Sequence, residues 1–566
     1  MLPGENALDN KLAVRRPDLG GRSTVFGTRG AVACEHPLAA LAGIKVLDEG
    51  GTAADACVAM AALMAVLAPM ATGMGGDAFL LYYEAGSGRV LGASGAGRAP
   101  KAATIEKLRE RGIKEMPERG ALTATVPGAV RLWEDAAQSL GRLPLSRLLE
   151  PAREAAEGGF PVSEVVARYW EAAEELLKKN VAAAASFLPN GRPPRAGEVF
   201  RQPDFARTLG AVAEEGAGAF YEGEISRSIA ESAQEAGGYL AEEDLADHET
   251  LWVEPIHTDY RGIRVYEIPP PGQGIAALEM LNVLEGFDLG SLDPLGAERV
   301  HLEVEAKKLA FRDLAEKIGD PEFVHVPTDE LLSREYAAKL REGISPDHAS
   351  DVSAAPALGN DTTYLCAVDE RGNGCSFINS LYMGFGSGIV AAGTGIRLQN
   401  RGASFRLVEG HPNALAPGKR PLHTIIPGLA TKDGDLWATF GVMGGPMQPQ
   451  GHAQLLSNLV DHGMSSQEAV DHPRHFHGEG ARILATNRPT SPQEAADEAS
   501  TSSEMLLVEG RIPATEVEKL RTMGHEVVVG SPYVVPTGGA QLIRIHEDGV
   551  RACGSDPRKD GCALAQ

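Results

Sequence analysis

The sequence predicts an α+β fold built in layers, and three observations carry that expectation. Segments of helical period dominate the chain as far as about residue 340. From Thr362 onward, short apolar runs bounded by turn residues take over. The 566 residues are 43% apolar and only 23% charged, enough to build a large core. Length alone suggests about four domains.

In chain order, the first helix is expected from His36 to Gly51. Pro37 opens it, Leu38, Leu41, Ile44 and Leu47 repeat every three residues, and Gly50-Gly51 closes it. A second helix starts near Ala53 and runs through the all-apolar stretch Ala56 to Ala68, stopping at Pro69. The turn ATGMGGD (Ala71 to Asp77) leads into AFLLYYE, a buried strand. Residues 101–180 read as amphipathic helices. IRVYEI is a strand that runs into Pro269-Pro270-Pro271-Gly272, and helical period returns over Ile275–Leu284 and Ala297–Lys317. ISPDHASDVSAAPALGN reads as an exposed loop. After it, TTYLCAVD and GCSFINS flank ERGN as a hairpin, with further strands at IIPGLAT, LWATFGVM, HEVVVG and AQLIRIHE. A helix is expected from about Gly451. The Ser/Glu/Ala/Pro-rich stretch inside 477–505 reads as a surface insertion, centred on 485–504.

Charge and cysteine usage exclude several functions. With 53 Lys+Arg against 77 Asp+Glu the net charge is −24, which disfavours nucleic acid and anionic membrane surfaces as partners. The six cysteines, Cys34, Cys57, Cys366, Cys375, Cys553 and Cys562, form no CxxC pair, so neither a zinc knuckle nor a disulfide framework is expected. The first thirty residues contain no apolar signal core, and the Ala56–Ala68 run is short for a membrane span. A cytoplasmic location is the expectation.

Metal and nucleotide motifs are weak. His472, His475 and His477 in DHPRHFHG lack a nearby Cys or a helical i,i+4 pair. His301, Glu303 and Glu305 follow i,i+2 spacing on a helix and read as structural. GMGGD and PGQG do not fit a dinucleotide or P-loop fingerprint, and no GxSxG elbow is present. Thr362-Thr363 at a strand start is unremarkable alone.

The ordered set of motifs around it is not. GAVACEHPLAALAGIKVLDEGGTAADACVA, ATGMGGDAFLL, TVPGAV, GGYLAEEDL, DYRGIRVYEIPPPGQG, VHLEVEAKKLAFRD and GDPEFV precede DTTYLCAVD. QNRGASF, HPNALAPGKRPLHTIIPGLA, FGVMGGPMQPQGH and GSDPR follow it. By these motifs, from about Gly27 to Asp560, the chain resembles the gamma-glutamyltransferase family of N-terminal-nucleophile hydrolases, and the branches it resembles include the oxamate amidohydrolase-like and glutaryl-cephalosporin acylase-like enzymes.

The resemblance implies a four-layer αββα sandwich made from two fragments, 1–361 and 362–566, of a precursor that cuts itself between Asp361 and Thr362. Thr362 is then both nucleophile and, through its freed α-amine, base; an amine of reference pKa about 7.7–8.0 suits that work. Gly444 and Gly445 match the paired glycines of the oxyanion hole. Ser380 stands where a threonine usually hydrogen-bonds the nucleophile, while Thr363 and His452 are read equally as structural. No metal or cofactor is needed. The expected partners are a γ-glutamyl or other small acyl amide, water or an amine acceptor, and the chain's own cleaved fragment.

The acyl pocket departs from the family pattern. The arginine that usually holds the α-carboxylate becomes Ala96, with Arg98 two residues on. The aspartate that binds the α-amine becomes Ser404. The paired serines become His423 and Thr424, and the active-site asparagine becomes Tyr382. Asn400 and Arg401 sit in the same QNRGASF motif, and Arg98 or Arg401 is expected to grip a carboxylate. The segment after Phe405 is too short for a large lid, which favours water as acceptor.

Overall fold

The computed structural model describes residues 21–352, 361–479, 481, 485 and 504–566. Two seven-stranded sheets form its centre. In chain order their strands are β1 (Val25–Gly27), β2 (Ala31–Cys34), β3 (Asp77–Glu84), β4 (Arg89–Ser94), β5 (Leu251–Val253), β6 (Ile256–Tyr260) and β7 (Ile263–Glu267). Then follow β8 (Asp361–Val368), β9 (Gly374–Tyr382), β10 (Gly428–Lys432), β11 (Asp435–Val442), β12 (Ala540–Ile545), β13 (Arg551–Ser555) and β14 (Cys562–Ala565). One sheet runs β14-β2-β8-β9-β3-β4-β5, the other β1-β13-β12-β11-β10-β7-β6, and every pairing within them is antiparallel.

The sheets face each other, with β8 and β9 lying over β11 and β12. Their shared core holds Phe79, Tyr364, Ile378, Leu429 and Ile543. Glycine permits the closest approach: a Cβ on Gly441 of β11 would sit 2.5 Å from the Tyr364 ring of β8. Helices cover both outer faces, completing four layers. On the β8 side lie α1 (Pro37–Asp48) and α2 (Ala53–Leu67). His36 caps α1, accepting the Leu38 N–H at 3.2 Å, and Thr52 with Asp55 forms a capping box on α2. Every residue of α2 is buried, which explains a run apolar on all sides in a helix that does not span a membrane. On the other side lie α3 (Gly274–Leu284), α4 (Ala297–Lys317) and α5 (Met447–Val460).

The αββα expectation therefore holds, and the length-based count of four domains gives way to one sandwich. Several details differ. HEVVVG supplies only Val527–Val529, in a separate three-stranded sheet with His475–Gly478 and Met505–Val508. The IIPGLAT strand begins only at Gly428. Helix α5 begins at Met447, directly after Gly444-Gly445-Pro446, four residues before the expected Gly451. Pro449 does not delay it, because the first helical turn needs no donor there. Most of the 485–504 insertion, and residues 353–360 of the loop before Asp361, lie outside the described residues. All six cysteines are unpaired and five are buried. Among the described residues, no helix is long and apolar enough to cross a membrane.

Candidate active site

Thr362 is the second residue of β8 and is 2% exposed. Asp361 and Thr362 are consecutive in that strand, so the Thr362 nitrogen is here a peptide nitrogen. Asp361 pairs with Tyr382 and Thr363 with Asn379, so the ladder advances two residues on β8 and three on β9. That bulge re-aims the end of β9. It places the Ser380 hydroxyl 3.1 Å from the Thr362 hydroxyl, while Ser380 Oγ also accepts the Tyr382 N–H at 2.8 Å. Tyr382 itself adopts φ +81°, a strained conformation for a residue with a side chain.

The glycine-rich turn before β3 supports this geometry. A Cβ on Gly76 would lie 2.2 Å from the Ser380 carbonyl oxygen, so only glycine lets the turn reach β9. Asp77, next in sequence and fully buried, accepts the N–H groups of Gly97 and Gly128, each at 3.2 Å, and the Gln399 amide at 2.8 Å. Its other oxygen faces His423 Nε2 at 2.8 Å, while His423 Nδ1 lies 2.7 Å from the Pro421 carbonyl.

A chain of contacts joins the nucleophile candidate to the glycine pair. The Arg401 guanidinium stacks 4.3 Å from the centre of the Tyr382 ring, and its Nη1 donates to Thr424 Oγ1 at 2.8 Å. The Thr424 carbonyl accepts from Gln273 Nε2, which also donates to the Gly445 carbonyl at 2.9 Å. Gly444 and Gly445 have φ +122° and +57°. Neither backbone N–H finds an acceptor among the described residues, and α5 starts two residues later. Two free N–H groups beside a helix N-terminus are suited to stabilising an oxyanion.

Arg401 is fully buried, and its Nε and Nη2 have no hydrogen-bond partner among the described residues. Burial pulls its pKa down to about 10, which leaves it charged near neutral pH. The Tyr382 hydroxyl beside it is also buried and unpartnered, and burial pushes it up to about 12, so it is a neutral donor. A buried cation with two unused N–H directions is costly unless an anion meets it.

Other expected residues have different employment. Arg98 lies outside this contact chain: it forks onto Glu322 at 2.9 and 3.0 Å and donates to the Gly418 carbonyl at 2.8 Å. Ser404 donates to the carbonyls of Arg401 and Leu422, both at 3.0 Å, and offers no charge. Asn400 caps the turn, accepting the Met383 N–H at 3.1 Å and donating to the Glu118 carbonyl. Ala96 is buried between the sheets. Thr363 is fully buried with no side-chain partner among the described residues, and His452 pairs with Glu267 at 2.7 Å. Sequence reasoning missed Asp77, Gln273 and Gln399, although ATGMGGD, PGQG and QNRGASF contain them.

The histidines of DHPRHFHG are scattered: His472 lies 3.2 Å from the Pro294 carbonyl, His475 3.5 Å from Glu303, and His477 3.2 Å from Lys307.

Residues 39–566 match the family model described as gamma-glutamyltranspeptidase. The Bacillus subtilis (strain 168) glutathione hydrolase-like YwrD proenzyme is 38% identical over 96% of this chain and 99% of its own. The Klebsiella pneumoniae oxamate amidohydrolase proenzyme is 34% identical over 96% and 99%. A solved cephalosporin acylase from Bacillus halodurans superposes with TM-score 0.88 at 40% identity, covering 98% of both chains. The chain therefore belongs to the gamma-glutamyltranspeptidase family of amide hydrolases and acyltransferases.

Proposed function

We propose that this protein is a self-processing amidohydrolase that forms an acyl-enzyme on Thr362 and releases a small carboxylate-bearing acyl group from its amide. The observation that carries the reading is the buried, half-satisfied Arg401 guanidinium, linked by contacts both to Thr362 and to the Gly444-Gly445 turn.

The chemistry follows from these positions. In the precursor, Thr362 Oγ adds to the Asp361 carbonyl carbon, the Asp361–Thr362 C–N bond breaks, and water then hydrolyses the resulting ester. Cleavage leaves fragments 1–361 and 362–566 and frees the Thr362 α-amine. That amine takes the hydroxyl proton as Thr362 attacks the substrate amide, and returns it to the departing amine. The N–H groups of Gly444 and Gly445 receive the oxyanion, worth about 2.7–4 kcal/mol per donor in comparable sites. Ser380 keeps the Thr362 hydroxyl oriented. Ser380→Ala is expected to lower kcat by about ten- to a hundredfold with KM little changed, measured on processed enzyme. An unchanged kcat would remove Ser380 from the account.

Arg401, with Tyr382, binds the far carboxylate of the acyl group, a feature shared by γ-glutamyl and glutaryl donors. A second reading, amides whose acyl group lacks an α-amine, is favoured by Ser404: the aspartate position now holds a neutral hydroxyl already committed to two carbonyls. The name of the oxamate amidohydrolase relative points the same way. Initial rates on γ-glutamyl, glutaryl and oxamate-type amides separate the two readings. A strong preference for the γ-glutamyl donor would discard the second.

Water is the proposed acceptor. In the segment after Phe405, Leu407 and Leu415 are buried with Phe405 against Ile105 and Leu108, so this part is packed down onto a neighbouring helix. Added glycylglycine is expected to change the rate of acyl release by less than about twofold, because water competes freely for the acyl-enzyme. A large acceleration would identify a transpeptidase instead.

A further inference from the structure

Outside the Thr362 site, one side-chain cluster has the composition of a metal centre. His301 and Glu305 are read from sequence as structural, by the i,i+2 spacing that each has with Glu303. Four residues apart on α4, they share a face, and α6 (Ala514–Thr522) delivers His525 to the same point. One ligand atom from each lies within 4.8 Å of the other two, and all three side chains are buried.

The hydrogen bonds fix the tautomer that coordination needs. His301 Nε2 lies 2.7 Å from the Ser345 carbonyl, which only accepts, so Nε2 carries the proton and Nδ1 presents its lone pair. That lone pair faces His525 Nε2 at 2.8 Å. A second ring N–H held by a backbone carbonyl is the outer arrangement that orients metal-bound histidines. Glu305 accepts from Lys308 Nζ at 2.7 Å and from the Ser350 N–H at 3.1 Å, which orient its carboxylate.

We propose that His301 Nδ1, His525 Nε2 and the Glu305 carboxylate form a binding site for one divalent transition-metal ion of the zinc class. Two imidazoles and one carboxylate suit such an ion and leave a fourth position for water. Two nitrogens at roughly 2.0–2.1 Å from one zinc, at tetrahedral angles, stand about 3.4 Å apart. The 2.8 Å His301–His525 separation must therefore open by about half an ångström, a small ring shift. His525 accepts the ion at Nε2 by moving its proton to Nδ1, so no net proton is released there. Lys308 stays on the outer side of Glu305 and limits affinity by its like charge. Through Ser345 and Ser350, the site ties α4 to the segment that precedes the described part of β8.

The test uses full-length purified protein, stripped with chelator and titrated calorimetrically with Zn²⁺, with Co²⁺ absorption as a second readout. The expected result is one equivalent bound at about micromolar Kd or tighter, with a four-coordinate Co²⁺ spectrum. Glu305→Gln and His525→Ala should each weaken binding at least tenfold. Two variants at different elements guard against one failing to fold, as checked by circular dichroism. No binding by the parent protein, or unchanged binding in the folded variants, would overturn the site. Neither readout depends on amidase activity, so the outcome is independent of the proposed function.

Discussion

Thr362→Ala is expected to remain a single 59.6 kDa chain and to lose amidase activity by about four orders of magnitude or more. In the proposed mechanism both effects come from one hydroxyl, because the atom that would open the Asp361–Thr362 bond is the atom that substrate would later acylate. Thr362→Ser keeps the hydroxyl and should still cleave. Thr363→Ala should also cleave, since its side chain is fully buried and lacks the Ser380 contact that marks Thr362. Electrophoresis after long incubation reads all three. If Thr363→Ala stayed whole while Thr362→Ala cleaved, the nucleophile would be misassigned.

The second large effect belongs to Arg401. Replacing it with glutamine removes the only unpaired guanidinium positions in the contact chain around Thr362, while leaving Ser380 and the glycine pair untouched. For an acyl donor with a terminal carboxylate, kcat/KM should fall by about thirtyfold to several thousandfold, the usual cost of orphaning a buried charge, roughly 2–5 kcal/mol. An uncharged acyl amide of similar length should lose less than about threefold. Stability should move little or the other way: the free protein sheds a buried cation that has no hydrogen-bonded carboxylate and is offset only by the nearby Asp77 charge, so Tm is expected to hold or rise. A uniform loss on both donors together with a lower Tm would make Arg401 a structural residue.

Much of the fold was legible because its helices carry strong local signals. His36-Pro37 and the Thr52–Asp55 pair mark helix starts through hydrogen bonds made within four residues. The α4 limits, Ala297 and Lys317, were read directly. Strands β1, β2, β4, β5, β6, β13 and β14 were not foreseen. They are short, and Ala31–Cys34 and Cys562–Ala565 are buried or half-buried by pairing partners more than 500 residues apart in sequence, so alternation says little. The start of α5 lies at Met447, four residues before the expected Gly451.

The site divided in the same way. Thr362, Ser380 and the glycine pair, the residues proposed for catalysis, come from motif order, and the fold brings the Thr362 and Ser380 hydroxyls within 3.1 Å. The pocket was not legible that way, because its chemistry depends on which groups are already occupied. Arg98 and Arg401 look equivalent in sequence, yet Glu322, 224 residues away, takes the first, while among the described residues the guanidinium of the second donates to Thr424 and stacks on the Tyr382 ring. Asp77 and Gln273 sit inside motifs that carry the family resemblance, but nothing local to those motifs gives either residue a role. His301 and Glu305 stand four apart on α4, whereas His525 lies 224 residues beyond His301.

The most direct measurement is the intact mass and amino-terminal sequence of the purified protein after incubation, with and without a slow-turnover acyl amide. The account predicts two species of roughly 38 and 22 kDa, the 59.6 kDa chain divided by length at residue 361, the smaller beginning Thr362-Thr363-Tyr364. Trapped substrate should add one acyl mass to that smaller species alone, on its first residue. A persistently uncut chain, a new terminus elsewhere, or an acyl group carried by the larger species would contradict it.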